Sequence, residues 1–134
     1  MPMQSSFDYA VVRVVPRVER GEFINAGVIV FCLEQRFLAA RVQLDEPRLK
    51  ALWPDVDVEL VRKHLEAIPK ICVGNPSAGP IARLNQRERF HWLISPRSTI
   101  IQVSPAHSGL CGEPAQILDE LSRRFLDVGG VSSR

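Results

Sequence analysis

The chain has few of the residues that mark secreted, metal-binding or membrane proteins. It contains three cysteines, Cys32, Cys72 and Cys111, and no Cys-x-x-Cys spacing. An odd number without that spacing argues against a disulfide framework and against a structural zinc site. No apolar run approaches the roughly 18 residues of a membrane-spanning helix. The opening residues, Met-Pro-Met-Gln-Ser-Ser, lack the basic and apolar regions of a signal peptide. We therefore expect a cytoplasmic protein that needs no metal and no cofactor.

Lysine is also scarce, since the 17 basic residues comprise three lysines and 14 arginines. With 15 acidic residues the net charge is only +2, which argues against a polybasic protein that binds nucleic acid nonspecifically. This balance is an average, because residues 75–112 hold four arginines against one glutamate, a local charge of +3. Arginine is the planar cation that suits carboxylates and phosphates. The segment is therefore a candidate region for binding an anion or an acidic partner.

The length and the hydrophobic pattern predict one α+β domain. The 134 residues are 46% hydrophobic and 24% charged, as expected of one domain over 1–134 with flexible ends at 1–6 and 128–134. Apolar and capping patterns predict strands at 7–15, 23–33, 37–44 and 98–103 and a loop at 104–112. They predict helices at 46–52, at 86–94 and from 114 onward, and a longer helix that is capped by Asp55 or Asp57 and runs to about 72. Strands come first and helices are interleaved later. This order favours a mainly antiparallel sheet of about four strands, packed against three to four helices on one face.

The first candidate site is the turn that enters the second predicted strand. Glu22 is a candidate catalytic base or ion partner, and Asn25 is a candidate orienting amide. Arg13, on the preceding strand, is a further binding candidate. The alternative is structural: Asn25 satisfies nearby backbone groups, and Glu22 pairs with Arg13 or Arg20.

The second candidate is an oxyanion site in the arginine-rich segment. Arg97 supplies a guanidinium fork, and Ser98 and Thr99 supply hydroxyl donors beside it. Arg89, earlier in the same segment, is another binding candidate. The alternative is that Arg97 bridges two elements and that Thr99 is an ordinary strand residue.

The third candidate, at residues 104–111, has the composition closest to that of a catalytic site. His107 is a candidate general base and binding residue, with Ser108 or Cys111 as the nucleophile. No Gly-x-Ser-x-Gly elbow is present, and no motif identifies a third catalytic partner. The alternative is a loop shaped by proline and glycine whose histidine bonds to the backbone.

Two long motifs carry a family resemblance. They are Arg-Gly-Glu-Phe-Ile-Asn-Ala-Gly-Val at 20–28 and the stretch from Phe90 to Cys111. Together with residues 9–16 they resemble the bacterial domain-of-unknown-function 3037 family (DUF3037), from about Tyr9 to Leu126. The resemblance implies no known activity. It implies a regulatory or accessory protein whose partner is a kinase.

Three functions from different classes follow from these patterns. The leading hypothesis is a non-enzymatic binding or regulatory module, whose polar patch joins the Glu22–Asn25 turn to the Arg97–His107 segment and binds a protein or an anionic group. The second is a small hydrolase or phosphoryl-transfer enzyme that uses His107 with Glu22 and Arg97, which requires the three side chains to share one cleft. The third is nucleic-acid binding through the Arg83–Arg97 segment.

Overall fold

The structure, a computed structural model, describes residues 4–95 and 100–126 of the chain. The candidates Arg97, Ser98 and Thr99 and the end segment 128–134 lie outside those residues. The described elements are the strands β1 (Ser5–Val14), β2 (Ile24–Cys32), β3 (Phe37–Val42), β4 (Ile101–Val103) and β5 (His107–Cys111), and the helices α1 (Glu46–Leu52), α2 (Val58–Cys72), α3 (Gln86–Ile94) and α4 (Pro114–Phe125). The predicted α+β class with an antiparallel sheet is confirmed.

The sheet is organised around β1. The strand order is β3-β2-β1-β4, and β5 also pairs with β1, so β4 and β5 follow one another along the same edge of β1. Every pairing is antiparallel. The edge strand is interrupted at Ser104, whose hydroxyl accepts a hydrogen bond from the Val11 N–H at 2.9 Å. The side chain thereby satisfies a β1 donor where regular pairing lapses.

Helices cover both faces of this sheet, so the expectation of helices on one face was wrong. Val28 and Val30 of β2 belong to an apolar cluster with α4, whereas Ile29 and Phe31 belong to a second cluster with α1, α2 and α3. Successive side chains of a strand point to opposite faces, and both sets here are buried. The uninterrupted apolar run of β2 is the pattern expected of a strand buried on both sides.

The second correction concerns residues 107–111, which were predicted to lie in a loop and form β5. Tyr9 pairs with His107, and Ser5 pairs with Cys111, so the segment extends the edge of β1. Pro105 and Gly109 suggested a loop. Pro105 precedes β5, and Gly109 lies within β5 where a Cβ atom would be 2.9 Å from the Phe7 ring, so glycine is the residue that fits there.

The helices begin at the residues that capping chemistry selects. Asp45 and Asp57 accept backbone hydrogen bonds at the starts of α1 and α2. Asn85 and Glu88 form the predicted capping box of α3, in which each side chain binds the other residue's backbone N–H. No helix among the described residues is long and apolar enough to cross a bilayer.

Gly27 has no room for a side chain and generates a stability prediction. A Cβ atom at this position would lie 3.0 Å from Val42 Cγ1, 3.1 Å from the Arg41 carbonyl oxygen and 3.1 Å from Val12 Cβ. We expect Gly27→Ala to lower the free energy of unfolding by about 1–3 kcal/mol, measured by urea titration, because the strands must shift apart. The control is Gly112→Ala, whose Cβ would meet nothing within 4 Å. Equal effects of the two substitutions would contradict the close packing.

Candidate anion-binding site

Three polar side chains form a row across the sheet. In the strand pairing, Arg13 of β1 lies opposite Asn25 of β2 on one side and opposite Gln102 of β4 on the other. Directly paired residues on neighbouring strands point to the same face, so Arg13 has an amide-bearing residue as its pair on each neighbouring strand. We call Asn25, Arg13 and Gln102 the polar row.

A β-bulge brings Asn25 into this row. Val12 pairs with Gly27, but the next residue, Arg13, pairs with Asn25, so Ala26 is an extra residue on β2. Without the bulge, Ala26 would lie opposite Arg13, and Asn25 would point to the other face, which α2 and α3 cover. The displaced Ala26 carbonyl accepts a hydrogen bond from the Gln43 N–H at 2.8 Å. The irregularity is therefore hydrogen-bonded within the fold.

Arg13 has no carboxylate partner among residues 4–95 and 100–126. Its guanidinium carbon lies 4.5 Å from the centre of the Phe23 ring, a cation–π contact that holds the group in place. Its Nε–H is buried and has no acceptor there. An unsatisfied buried donor costs about 1–3 kcal/mol. The Arg89 Nε–H is also buried without an acceptor, so what distinguishes Arg13 is that no hydrogen bond or ion pair from its guanidinium to another described residue is observed.

Two other candidate residues, Glu22 and Arg89, have partners within the fold. Glu22 pairs with Arg20, whose Nε lies 3.1 Å from the carboxylate. Of the alternatives stated for Glu22, the one in which it pairs with Arg20 describes its contact. Arg89 donates to the backbone carbonyls of Leu84 and Cys72, so its guanidinium ties α3 to the end of α2.

An open cavity of about 790 Å³ lies beside the Asn25 end of the polar row, and Lys50 of α1 is part of its lining. Two acidic residues also line it, but both have partners: Asp45 caps α1, and Glu46 pairs with Arg62. The cavity volume is in the range that small-molecule sites occupy. Of the polar row, Asn25 is the member that lines this cavity, and Arg13 is not part of its lining.

The catalytic candidates do not converge. His107 and Ser108 are consecutive residues of β5 and therefore point to opposite faces of the sheet. The His107 ring packs 5.2 Å from the Tyr9 ring, whereas the Ser108 hydroxyl donates to Asp8 at 2.5 Å on the other face. Cys111 is buried, and burial with the neighbouring Cys32 thiol raises its pKa. The reactive thiolate is thus disfavoured at neutral pH.

Glu22 is also distant from His107. His107 pairs with Tyr9, and β2 starts at Ile24, which pairs with Val14. Tyr9 and Val14 are separated by roughly 17 Å along β1, since an antiparallel strand rises about 3.4 Å per residue. His107 lies on the Arg13 face but about four residues away from the row. A single cleft with Glu22 and His107 as acid and base is not formed.

Sequence reasoning missed three of the residues at this site, namely Phe23, Gln102 and Lys50. Phe23 is two residues before Asn25, and period-2 spacing already places the two side chains on one face. Gln102 and Lys50 carry no motif, because their positions depend on strand pairing and on the approach of α1. Among the described residues, no group of three metal-binding side chains is close enough to hold an ion.

Comparison with known proteins leaves this geometry without a characterised relative. A family described as "Protein of unknown function (DUF3037)" matches residues 9–126, which is most of the chain. No significant similarity is found to a curated protein or to a solved structure. Any assignment of function must therefore come from the chain's own residues.

The buried thiols give a testable pH dependence. Burial raises the pKa of Cys72 to about 12, with the nearby Arg89 charge opposing the shift. In the unfolded chain the thiol ionises near pH 8.5. The buried, protonated thiol therefore makes its full contribution to the free energy of unfolding below that pH, and this contribution is lost as the pH rises toward 12. Between pH 8 and 10 we expect the unfolding free energy of the wild type to fall by about 1–2 kcal/mol more than that of Cys72→Ala, by urea titration. Parallel pH profiles would contradict the burial.

Proposed function

We propose a function from the chain's own chemistry, because the protein belongs to the DUF3037 family, which is described as being of unknown function. The proposed function is that of a small non-enzymatic binding or regulatory module. It recognises an anionic group, carried by a partner protein or by a small ligand, through Arg13 and the polar row. The single observation that supports it is a half-buried guanidinium without a carboxylate partner among the described residues.

The contrast among the arginines makes Arg13 stand out. Arg20, Arg41 and Arg62 each pair with a carboxylate, and Arg89 binds backbone carbonyls. Exposed cations without partners are common because water solvates them. A half-buried cation in the middle of a sheet loses part of that solvation, so the fold usually supplies a compensating partner. An external carboxylate or phosphate would be such a partner, and charge-assisted hydrogen bonds to it would be among the stronger ones in proteins.

The neighbours of Arg13 suit recognition of such a group. Phe23 holds one face of the guanidinium, which reduces the conformational entropy that binding would otherwise remove. The amides of Asn25 and Gln102 each contain donors as well as an acceptor, so both side chains have the chemistry to bind an oxyanion beside the charge. Phe23 itself is 45% exposed. An aromatic ring next to an arginine is the composition enriched in protein–protein hot spots.

The alternatives receive less support from the geometry. An enzyme that combines Glu22 with His107 requires a cleft that the strand register does not form. Nucleic-acid binding through Arg83–Arg97 would rest on Arg83 and Arg87, which are exposed, and on Arg97, which lies outside the described residues, since Arg89 is engaged within the fold. We therefore expect nucleic acid to bind weakly, with a strong dependence on salt.

The test measures anion binding by variants that distinguish the loss of Arg13 itself from the loss of one positive charge. Phosphate, citrate and a penta-aspartate peptide are titrated into the protein at low salt, and the Arg13 Nε–H resonance is followed by NMR. We expect saturable shifts at Arg13 and an affinity at least about tenfold weaker in Arg13→Gln, because a charge-assisted hydrogen bond is worth about 1.5–3 kcal/mol. Arg13→Lys should also weaken binding, since an ammonium lacks the planar fork.

The matched control is Arg83→Gln, which removes the same charge from an exposed position and should change the affinity less than about twofold. Arg97→Ala tests whether the arginine-rich segment joins the site. Absence of binding by the wild type, or equal losses in Arg13→Gln and Arg83→Gln, would overturn the proposed function.

A further inference from the structure

One face of α2 leaves a cleft beside α3 and β4. His64, Ala67, Ile68 and Ile71 are spaced at intervals of three, four and seven residues, so they share one side of the helix. All four line a cavity of about 270 Å³. This cavity lies on the face of the sheet that α2 and α3 cover, whereas Arg13 points to the other face. Gln102 belongs to the polar row and also lines the cavity, so the two sites adjoin at β4.

The cleft has apolar walls from three elements. Ile68 and Ile71 of α2, Trp92 and Leu93 of α3, and Val103 of β4 surround the space. Protein interiors are otherwise packed with few voids larger than a water molecule, so an open apolar space of this volume is a distinct feature of the surface. It has the character of a ligand pocket, which is concave and mostly apolar with a few polar groups at fixed positions.

The size of the cleft limits what it can hold. A cavity of about 150 Å³ lined by aliphatic and aromatic side chains is sufficient for benzene. The cleft at α2 is larger, which leaves room for one ring with a short substituent or for a short aliphatic chain. Ala67 is the smallest side chain in its α2 wall, and a longer residue there would fill part of the space.

His64 provides a polar group at the mouth of the cleft. Its side chain is exposed, and it has no hydrogen bond or ion pair with any residue in 4–95 or 100–126. An imidazole offers one donor and one acceptor, or two donors when protonated. The Ser95 hydroxyl, also at the cleft, already donates to the His91 carbonyl at 2.7 Å. His64 is therefore the group best placed to meet a ligand's polar end.

We infer that the cleft between α2, α3 and β4 binds a small molecule with an aromatic ring or short aliphatic chain and one hydrogen-bonding head group. The apolar part lies against Ile68, Ile71 and Trp92, and the head group meets His64. This site adds a small-molecule ligand to a protein whose anion site lies on the other face of the sheet. The two sites can be tested separately because they share none of the residues that the experiments alter.

The experiment uses 3-phenylpropanoate, octanoate and propylbenzene as probes of the full chain. Binding is followed through the isoleucine methyl resonances and through Trp92 fluorescence in a Trp53→Phe background, which leaves one tryptophan. We expect saturable changes at Ile68, Ile71 and Trp92. Ala67→Leu should weaken binding of all three probes at least tenfold because it fills the cleft, without lowering the Tm.

The control is Glu66→Leu, which adds the same side chain on the outward side of α2 and should leave binding unchanged. His64→Ala should weaken 3-phenylpropanoate at least threefold and leave propylbenzene unaffected. No binding of any probe at millimolar concentration, shifts confined to other methyl groups, or equal affinity of the wild type and Ala67→Leu would overturn the inference. Equal loss of both phenyl probes in His64→Ala would contradict the assigned orientation. Arg13→Gln should bind all three probes normally.

Discussion

The hydrogen-bonded ladders on the two edges of β1 are the constraint on which the rest of the structure depends. One edge pairs with β2, and the other pairs first with β4 and then with β5. These ladders bring the 20–28 segment and the 101–111 segment to opposite sides of one strand, although they are distant in sequence. Backbone groups in a buried strand need partners on both sides, so both segments are fixed in register with β1. The residues available to a site follow from that register.

The polar row shows how a small irregularity in a ladder creates a chemical arrangement. One extra residue on β2 moves Asn25 from the face covered by α2 and α3 to the face that carries Arg13. Bulges concentrate next to functional sites because they redirect a side chain without breaking the sheet. Here the fold holds a guanidinium on an aromatic ring, gives its Nε–H no acceptor within residues 4–95 and 100–126, and pairs Glu22 with Arg20. The sheet thus holds a charge that no carboxylate of the described residues neutralises.

The sequence predicted much of the fold because the information for it is local. Pro47 in the first turn placed the start of α1, capping residues placed the starts of α2 and α3, and β-branched runs located the first three strands. The sequence did not predict that α4 covers the sheet face opposite α1, α2 and α3. The pattern of a helix shows which of its sides is apolar, but it does not show which element that side packs against. The sequence also missed β5: Pro105 and Gly109 suggest a loop, whereas pairing with β1 is a tertiary interaction.

For the site, the sequence alone determined the chemical inventory: an arginine excess, the Glu22–Asn25 turn, and no motif for a metal or a nucleophile. Only the tertiary structure decided which of these residues meet. Strand register placed Arg13 between Asn25 and Gln102, separated Glu22 from His107 and put Ser108 on the opposite face. The physical reason is that side-chain facing in a sheet alternates with period two, so a shift of one residue in pairing reverses it. Local composition does not encode such a shift, because it arises from contacts between distant segments.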